Sequence, residues 1–242
     1  MAAPMTDLDT GPSTAPDTDP SNFNTRLESI ASIVLAVAVV LTAWAAFEAA
    51  KWGGEQSIQF SVAGASRTES TRFDTRGGQL AQIDVAMFTD FVSAYIGEVR
   101  DGIIEPFDGT AFLPTPSTMS GFLYQRFRPE FRPAMDAWLA TDPAANPDAP
   151  PTPFVMPEYQ IAEFAEAERL AALADEAAAD ARTANQNGDN YVLTAVLFAA
   201  VLFFSGIASK LESRWNRLAV NLIGIIGVVI GAIILISLPI LI

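Results

Sequence analysis

Three long apolar segments dominate the pattern of hydrophobic and polar positions along the chain. The segments Ile30 to Phe47, Tyr191 to Ser209 and Leu218 to Ile242 contain 18, 19 and 25 residues without an Asp, Glu, Lys or Arg. An α-helix rises about 1.5 Å per residue, so about 20 residues cross the hydrocarbon core of a bilayer. The pattern therefore predicts an all-α membrane protein. Its three transmembrane helices are expected at residues 27–50, 190–209 and 218–242.

The polar segments divide the rest of the chain. Residues 1–26 carry four prolines and four aspartates. Such a segment buries too little surface to offset its ordering entropy, which predicts a disordered acidic tail. Residues 51–189 form a long insert between the first two spans, and residues 210–217 form a short hairpin before the third.

The first arm of the insert has the pattern of an amphipathic helix. Apolar residues recur there at spacings of three and four, which is typical of one buried helical face. This stripe consists of Leu80, Ile83, Met87, Phe91, Tyr95 and Val99. The glycine pairs at 53–54 and 77–78 are the two places where the helix is expected to kink or break.

The second arm, residues 158–187, is rich in alanine and is expected to run on into the second span. Its predicted buried side holds Ile161, Phe164, Leu170 and Leu173. If the two arms pack antiparallel, the arginines of the first arm face acids of the second, Arg76 lying near Glu163. The alternative is a charged face that is only solvated, because exposed ion pairs contribute little. The sequence thus predicts an antiparallel helical hairpin or bundle between spans one and two.

Residues 103–157 form the tip of the insert and combine many prolines with interleaved aromatic residues. Proline blocks continuation of a helix, so this segment is predicted to be a cap of short helices and extended stretches. Pro133 fits the first turn of a short helix that continues through Trp138 and Leu139.

The basic residues near the apolar segments predict an orientation. The 210–217 hairpin holds Lys210, Arg214 and Arg217 against a single acid, Glu212. Short loops with this bias stay in the cytoplasm, whereas long domains translocate largely regardless of charge. The protein is therefore expected in the cell (inner or plasma) membrane with a cytoplasmic N-terminus and with residues 51–189 extracytoplasmic. The opposite orientation stays open.

Composition narrows the function further. The chain has no histidine, no cysteine and a net charge of −14. Imidazole bases, thiolate nucleophiles and the common zinc sites are thereby excluded, and no phosphate-binding or calcium-binding motif is present. We expect no enzyme activity, no cofactor, no metal site and no binding to nucleic acid, which requires basic surfaces. Membrane lipid, a second copy or another membrane protein are the expected partners.

The tip carries the candidate surface for a partner or ligand. It consists of Arg126, Arg128 and Arg132 with the aromatic residues Phe127, Phe131 and Trp138. Guanidinium groups suit carboxylates and phosphates. Pairing of these arginines with Glu130, Asp136 or other acids of the chain is the alternative.

Two further features lie in or next to the spans. Glu48 and Lys51 lie between Trp44 and Trp52, and we expect them to form an interfacial ion pair. An acid inside a span can also mark a functional site. Small residues suited to close helix packing form a second set. They are Gly224, Gly227 and Gly231 in the third span and Ala195, Ala199 and Gly206 in the second. Whether they pack within one chain or between chains stays open.

Three segments resemble a known group of proteins. They are KWGGEQ at 51–56, RFRPEFRPAMDAWLATDPAANPDAPPTPFVMPEY at 126–159 and DNYVLTAVLFAAVLFFSGIASK at 189–210. Together they are similar to a group of uncharacterised bacterial three-span membrane proteins of comparable length. The resemblance implies the three-span architecture from the first span to the end of the chain and implies no catalytic residue.

These patterns favour a non-enzymatic membrane protein that binds a partner or supports an assembly through its extracytoplasmic helical domain. One alternative is a subunit of a homo-oligomeric channel or transport component lined near Asn221. Another is a sensor subunit, which needs a separate signalling partner because the tail and the hairpin leave no folded cytoplasmic domain.

Overall fold

The computed structural model describes residues 20–107, 114–208 and 210–241. These residues form five α-helices and one short 3₁₀ turn, with no strand among them. The helices are α1 (Pro20–Arg100), α2 (Met119–Tyr124), α3 (Arg132–Leu139), α4 (Ala162–Ala208) and α5 (Arg214–Ser237), and the 3₁₀ turn is Pro153–Val155. The predicted tail lies outside the described residues up to position 19, and its last seven residues begin α1.

The three predicted spans are confirmed as helices that are long and apolar enough to cross a membrane; they lie within Glu28–Arg100, Ala162–Ala208 and Arg214–Ser237. The chain divides into two compact units. We name residues 59–179 the middle unit and the described residues of 1–58 and 180–242 the terminal unit. α1 and α4 each contribute residues to both.

Helix α1 passes both glycine pairs without interruption, so neither pair breaks it. A glycine in a helix costs only about 1 kcal/mol relative to alanine, which packing readily outweighs. Gly77 has a packing role, because a Cβ atom there would lie 2.8 Å from the Phe164 ring. Beyond Arg100 the chain turns at Gly102, whose φ of 70° lies in the left-handed region that favours glycine.

In the middle unit, α1 contacts α4 through small and polar residues. Arg67 pairs with Asp175 at 3.1 Å and Arg76 with Glu163 at 3.4 Å, the second contact being the one stated above from the sequence. Between them, the Ser70 hydroxyl donates to the Ala167 carbonyl at 2.8 Å. The α1 positions on this side recur every seven residues: Ala63, Ser70, Gly77, Asp84, Phe91 and Glu98. All of them are buried or half-buried.

This face differs from the predicted buried sides of the two arms at three positions, and the other predicted residues are buried or half-buried: Leu80, Met87, Phe91, Tyr95, Val99, Ile161 and Leu170. Ile83, Phe164 and Leu173 are 50%, 41% and 39% exposed, whereas Ala167 and Ala174 of α4 are buried. Small side chains let the helix backbones approach closely, and larger residues are displaced to the edges of the contact. The sequence stripe, read at spacings of three and four, misplaced the buried face by one position at Ile83, whose neighbour Asp84 is 1% exposed.

Helix α5 begins and ends earlier than the sequence predicts. It starts at Arg214, inside the predicted 210–217 hairpin, and ends at Ser237 rather than at the last residue. Pro239 explains the end, because a proline disfavours helical backbone at the residue before it. Leu238 accordingly adopts an extended conformation, with φ −79° and ψ 144°.

The glycines of the third span pack within the chain. A Cβ atom on Gly231 would lie 2.5 Å from the Phe198 ring, one on Gly227 2.6 Å from Val201, and one on Gly224 3.0 Å from the Ser205 hydroxyl. Of the small residues of the second span, Ala195 packs against the buried cluster around Phe198. Ala199 and Gly206 are exposed, so they do not contribute to this contact.

We expect Gly231→Ala to destabilise the protein, because the Phe198 side chain is fully buried and cannot move aside for a methyl group. Overpacking of this kind costs about 1–3 kcal/mol. The measurement is the thermal unfolding midpoint of the purified protein in detergent. Gly206→Ala is the matched control and should leave the midpoint unchanged or slightly raised, since no atom lies within 4 Å of its added methyl and alanine is the better helix former. Equal midpoints for both variants would contradict this packing.

Candidate functional site

The middle unit has an aromatic core built from α1, α2, α3 and the 3₁₀ turn. Phe131 is fully buried, Phe127 is 3% exposed and Trp138 is 9% exposed. Phe131 stacks on Phe154 with ring centroids 5.4 Å apart, and Phe127 meets Phe91 at 5.6 Å. The expectation that Phe127 and Phe131 form a partner surface is therefore corrected, because these side chains stabilise the unit from inside. Trp138 packs in the same core and also lines the cavity described below.

Pro133 and the indole group of Trp138 fix the local fold around this core. Pro133 occupies the first turn of α3, as predicted. The Trp138 side chain at the other end of α3 donates from Nε1 to the Pro150 carbonyl at 2.8 Å. This bond ties α3 to the proline-rich segment that precedes the 3₁₀ turn, so residues 132–155 of the tip form a cap and not a linker.

A buried ion pair lies beside the aromatic core. Arg128 binds Asp84 with two hydrogen bonds, Nε to Oδ1 at 3.0 Å and Nη2 to Oδ2 at 2.9 Å. The Tyr159 hydroxyl donates to the same carboxylate at 3.2 Å, and Glu130 lies 3.3 Å from the third guanidinium nitrogen. The side chain of Asp84 is only 2% exposed and that of Arg128 is 19% exposed.

The environment of this ion pair shifts two pKa values. The hydrogen bonds to Asp84 raise the pKa of Arg128. Burial, followed by the negative charge of Asp84, raises the pKa of Tyr159 to about 12. Both groups therefore stay protonated at physiological pH and remain donors to the Asp84 carboxylate.

The three predicted arginines of the tip are not equivalent. Arg128 is paired with the buried Asp84 through two hydrogen bonds, so it does not belong to the predicted ligand surface. Arg126 is exposed, lies 3.4 Å from the centre of the Phe122 ring and donates to the Phe122 carbonyl. Arg132 donates to the Gln125 carbonyl at 3.2 Å. Only Arg126 presents its charge on an exposed side chain.

Sequence reasoning missed two buried acids of α1. Asp84 is one, and Glu98 is the other: its carboxylate accepts from the Met119 and Ser120 backbone N–H groups at 2.5 and 3.2 Å. Carboxylates placed at the first turn of a helix satisfy amide groups that have no partner within it. The seven-residue series from Ala63 to Glu98 is the signal by which both acids could have been found.

Breaking the buried ion pair should strongly destabilise the middle unit. We expect Arg128→Met to cost about 3–5 kcal/mol, because it leaves the Asp84 carboxylate buried without a counter-charge. The measurement is chemical unfolding in detergent, followed by tryptophan fluorescence from Trp138. Arg126→Met, which removes an exposed arginine two positions away, should cost less than about 1 kcal/mol. Similar losses for both variants would refute the assignment.

An apolar cavity of about 170 Å³ opens beside the same core. Its walls are formed by apolar and aromatic residues of α1, α3 and the tip: Phe91, Val92, Tyr95, Ile96, Phe107, Trp138, Leu139, Pro143 and Ala144. The two polar groups among these side chains are already engaged, since Tyr95 accepts from the Phe107 N–H and Trp138 donates to Pro150. The cavity therefore suits an apolar group.

In the terminal unit, Glu48 and Lys51 bind the backbone of one residue, Leu241, from its two sides. The Leu241 N–H donates to Glu48 Oε2 at 3.2 Å, and the Lys51 ammonium donates to the Leu241 carbonyl. Tyr191 and Trp52 both donate to the Pro239 carbonyl at 3.1 Å. Glu48 and Lys51 show no direct ion pair in the described part of the chain, so the expected pairing is replaced by a shared contact. They anchor the segment after α5.

Within residues 20–107, 114–208 and 210–241, no group of three or more acids is placed to hold a metal ion. No protein-family model, no curated protein and no solved structure matches the chain. The resemblance drawn from the sequence therefore stays a prediction.

Proposed function

We propose that this chain is a non-enzymatic, multi-pass membrane protein that binds another membrane protein through its middle unit. In this proposal residues 51–189 form an antiparallel helical hairpin outside the cytoplasm, and the partner inserts an apolar side chain into the cavity beside the aromatic core. The three apolar helices and the α1–α4 ion pairs within the middle unit support this arrangement.

The apolar cavity is the observation that carries the proposal. Ring surfaces of Phe91 and Phe107 line an open space beside the aromatic core. Burying an apolar side chain of leucine size contributes about 1.5–3 kcal/mol, so an occupant gains affinity without any polar contact. Pockets that accept such anchors commonly dominate the energetics of protein interfaces.

The rim of the cavity offers a position to test this. Ile96 lines the cavity and is 59% exposed, so its substitution does not disturb the buried core. A photo-reactive amino acid at Ile96 should crosslink in intact cells to a second protein species. Adding Ala144→Trp, at another residue that lines the cavity, should fill the cavity and abolish that product.

Ile83 provides the matched control. It lies on the same helix, is 50% exposed and does not line the cavity. The same photo-reactive group at Ile83 should give no such product, or one that is insensitive to Ala144→Trp. Recovery of only a second copy of the chain from the Ile96 variant would favour the homo-oligomer instead, and the absence of any product would overturn the proposal.

The proposed orientation follows from the positive charge of the hairpin, where Lys210, Arg214 and Arg217 outnumber Glu212. Because the chain has no cysteine, single introduced cysteines report on it cleanly. In intact cells, an impermeant maleimide should label Ser117→Cys and not Ser213→Cys, both positions being exposed. Permeabilised cells, in which both should react, are the control. Labelling of Ser213→Cys alone would reverse the orientation.

The channel alternative has less support. Asn221 is only 7% exposed, and the neighbouring glycines of α5 are occupied by α4 of the same chain, so this face is not offered to other subunits. In the sensor alternative a ligand occupies the same cavity, and its binding is transmitted to a separate signalling partner.

A further inference from the structure

A second pocket, separate from the apolar cavity, lies among the three apolar helices of the terminal unit. It has a volume of about 390 Å³ and is bordered by side chains from α1, α4 and α5. Its polar lining residues are Glu28, Ser32, Ser205, Arg217 and Asn221. A mixture of one acid, one base, two hydroxyls and an amide contrasts with the apolar helices that surround it.

Two of these side chains carry polar atoms that are buried without a hydrogen-bond partner in the described part of the chain. They are the Ser205 hydroxyl and the Nε atom of Arg217. Ser205 is 4% exposed and Asn221 is 7% exposed. Buried donors without an acceptor are costly and uncommon in native structures, and one recurrent reason for them is an absent ligand. A rotation of these side chains toward the pocket would let an oxygen-rich group supply acceptors.

The charges of the pocket define what kind of ligand fits. Arg217 Nη2 lies 3.1 Å from Glu28 Oε1, and their side chains are 15% and 63% exposed. Arg217, with serine and amide donors around it, suits a phosphate. Glu28, on the exposed side of the pair, suits a cation. Because the pair is neutral overall, a ligand carrying both charges matches it better than an anion does.

The position of the pocket in the chain indicates the source of such a ligand. Glu28 lies two residues before the uncharged segment that begins at Ile30, and Arg217 immediately precedes the uncharged segment that begins at Leu218. In a membrane, residues at these places lie at the level of the lipid headgroups. This step depends on the membrane placement in the proposed function and does not depend on partner binding.

We infer that the pocket binds the headgroup of a zwitterionic phospholipid that carries a primary ammonium group. Arg217, Ser205 and Asn221 hold the phosphate, and Glu28 receives the ammonium group. A free phosphoethanolamine molecule has the same chemistry, so the experiment must separate the lipid from the soluble compound.

Native mass spectrometry of the full-length protein, released from detergent micelles, measures this directly. Phosphatidylethanolamine and phosphatidylglycerol with identical acyl chains are added in equal amounts. We expect the ethanolamine lipid to be retained in severalfold excess. Equal retention of the two lipids, or preference for phosphatidylglycerol, would overturn the inference.

Substitutions assign the two halves of the headgroup. Arg217→Gln should lower retention of phosphatidylethanolamine about tenfold, the loss expected for a charge-assisted hydrogen bond. Glu28→Gln should remove the preference for ethanolamine while phosphatidylglycerol is still retained. Glu28 is largely exposed, so this variant remains informative even if Arg217→Gln fails to fold. An unchanged preference in Glu28→Gln would refute the assignment.

Matched controls change the same charges in the hairpin, outside the pocket. Lys210→Gln and Glu212→Gln are exposed substitutions and should leave the lipid ratio unchanged. An excess of soluble phosphoethanolamine should not displace the lipid, and displacement would assign the pocket to the soluble compound instead. Photo-crosslinking at Ile96 reports on the proposed function independently, so either idea can fail alone.

Discussion

Close approach of helix backbones is the constraint on which the rest of this structure depends. In the terminal unit, Gly231 leaves room for the Phe198 ring, and in the middle unit Ala63 packs against Ala177 and Ala178. Small residues on the facing helices allow this approach. In the middle unit, bulky side chains from the C-terminal part of α1 and from the tip gather in a separate aromatic core. In the terminal unit, the bulky Phe198 ring fills the space that Gly231 leaves.

Three buried carboxylates of α1 complement the small residues. Within the terminal unit, Glu48 binds the Leu241 peptide. Within the middle unit, Asp84 binds Arg128 and Tyr159, and Glu98 binds the first amides of α2. Each carboxylate is buried and each engages a segment distant in sequence. A buried charge is costly unless it is fully hydrogen-bonded, so each acid tolerates essentially one arrangement of the segment that it holds. Apolar contacts alone would fix these loops and ends less uniquely.

Much of the helical architecture could be predicted from the sequence, because a long uncharged segment has few alternatives to a spanning helix. The Arg76–Glu163 contact and the short helix at Pro133 were also predictable, the first from an antiparallel register and the second from proline's fixed backbone angle. The buried acids were not, since Asp84 and Glu98 look in sequence like ordinary solvated residues of an amphipathic helix. Only their place in a seven-residue series distinguishes them. Arg128 was predicted to bind a ligand because its counter-charge, Asp84, lies 44 positions away and could not be identified from the sequence.

The two proposed binding sites differ in whether their polar groups already have hydrogen-bond partners. In the tip, Arg128 is neutralised by Asp84, and the polar atoms on the cavity wall are engaged within the chain. Recognition there must depend on shape and apolar burial, which discriminate modestly and tolerate exchange of similar side chains. In the terminal unit, Ser205 and Arg217 retain polar atoms without partners beside a neutral charge pair. A site with unsatisfied polar groups rejects a ligand that lacks the matching atoms much more strongly than an apolar cavity does. Selectivity should therefore be higher in the polar pocket, even though the aromatic tip is the more distinctive feature of the sequence.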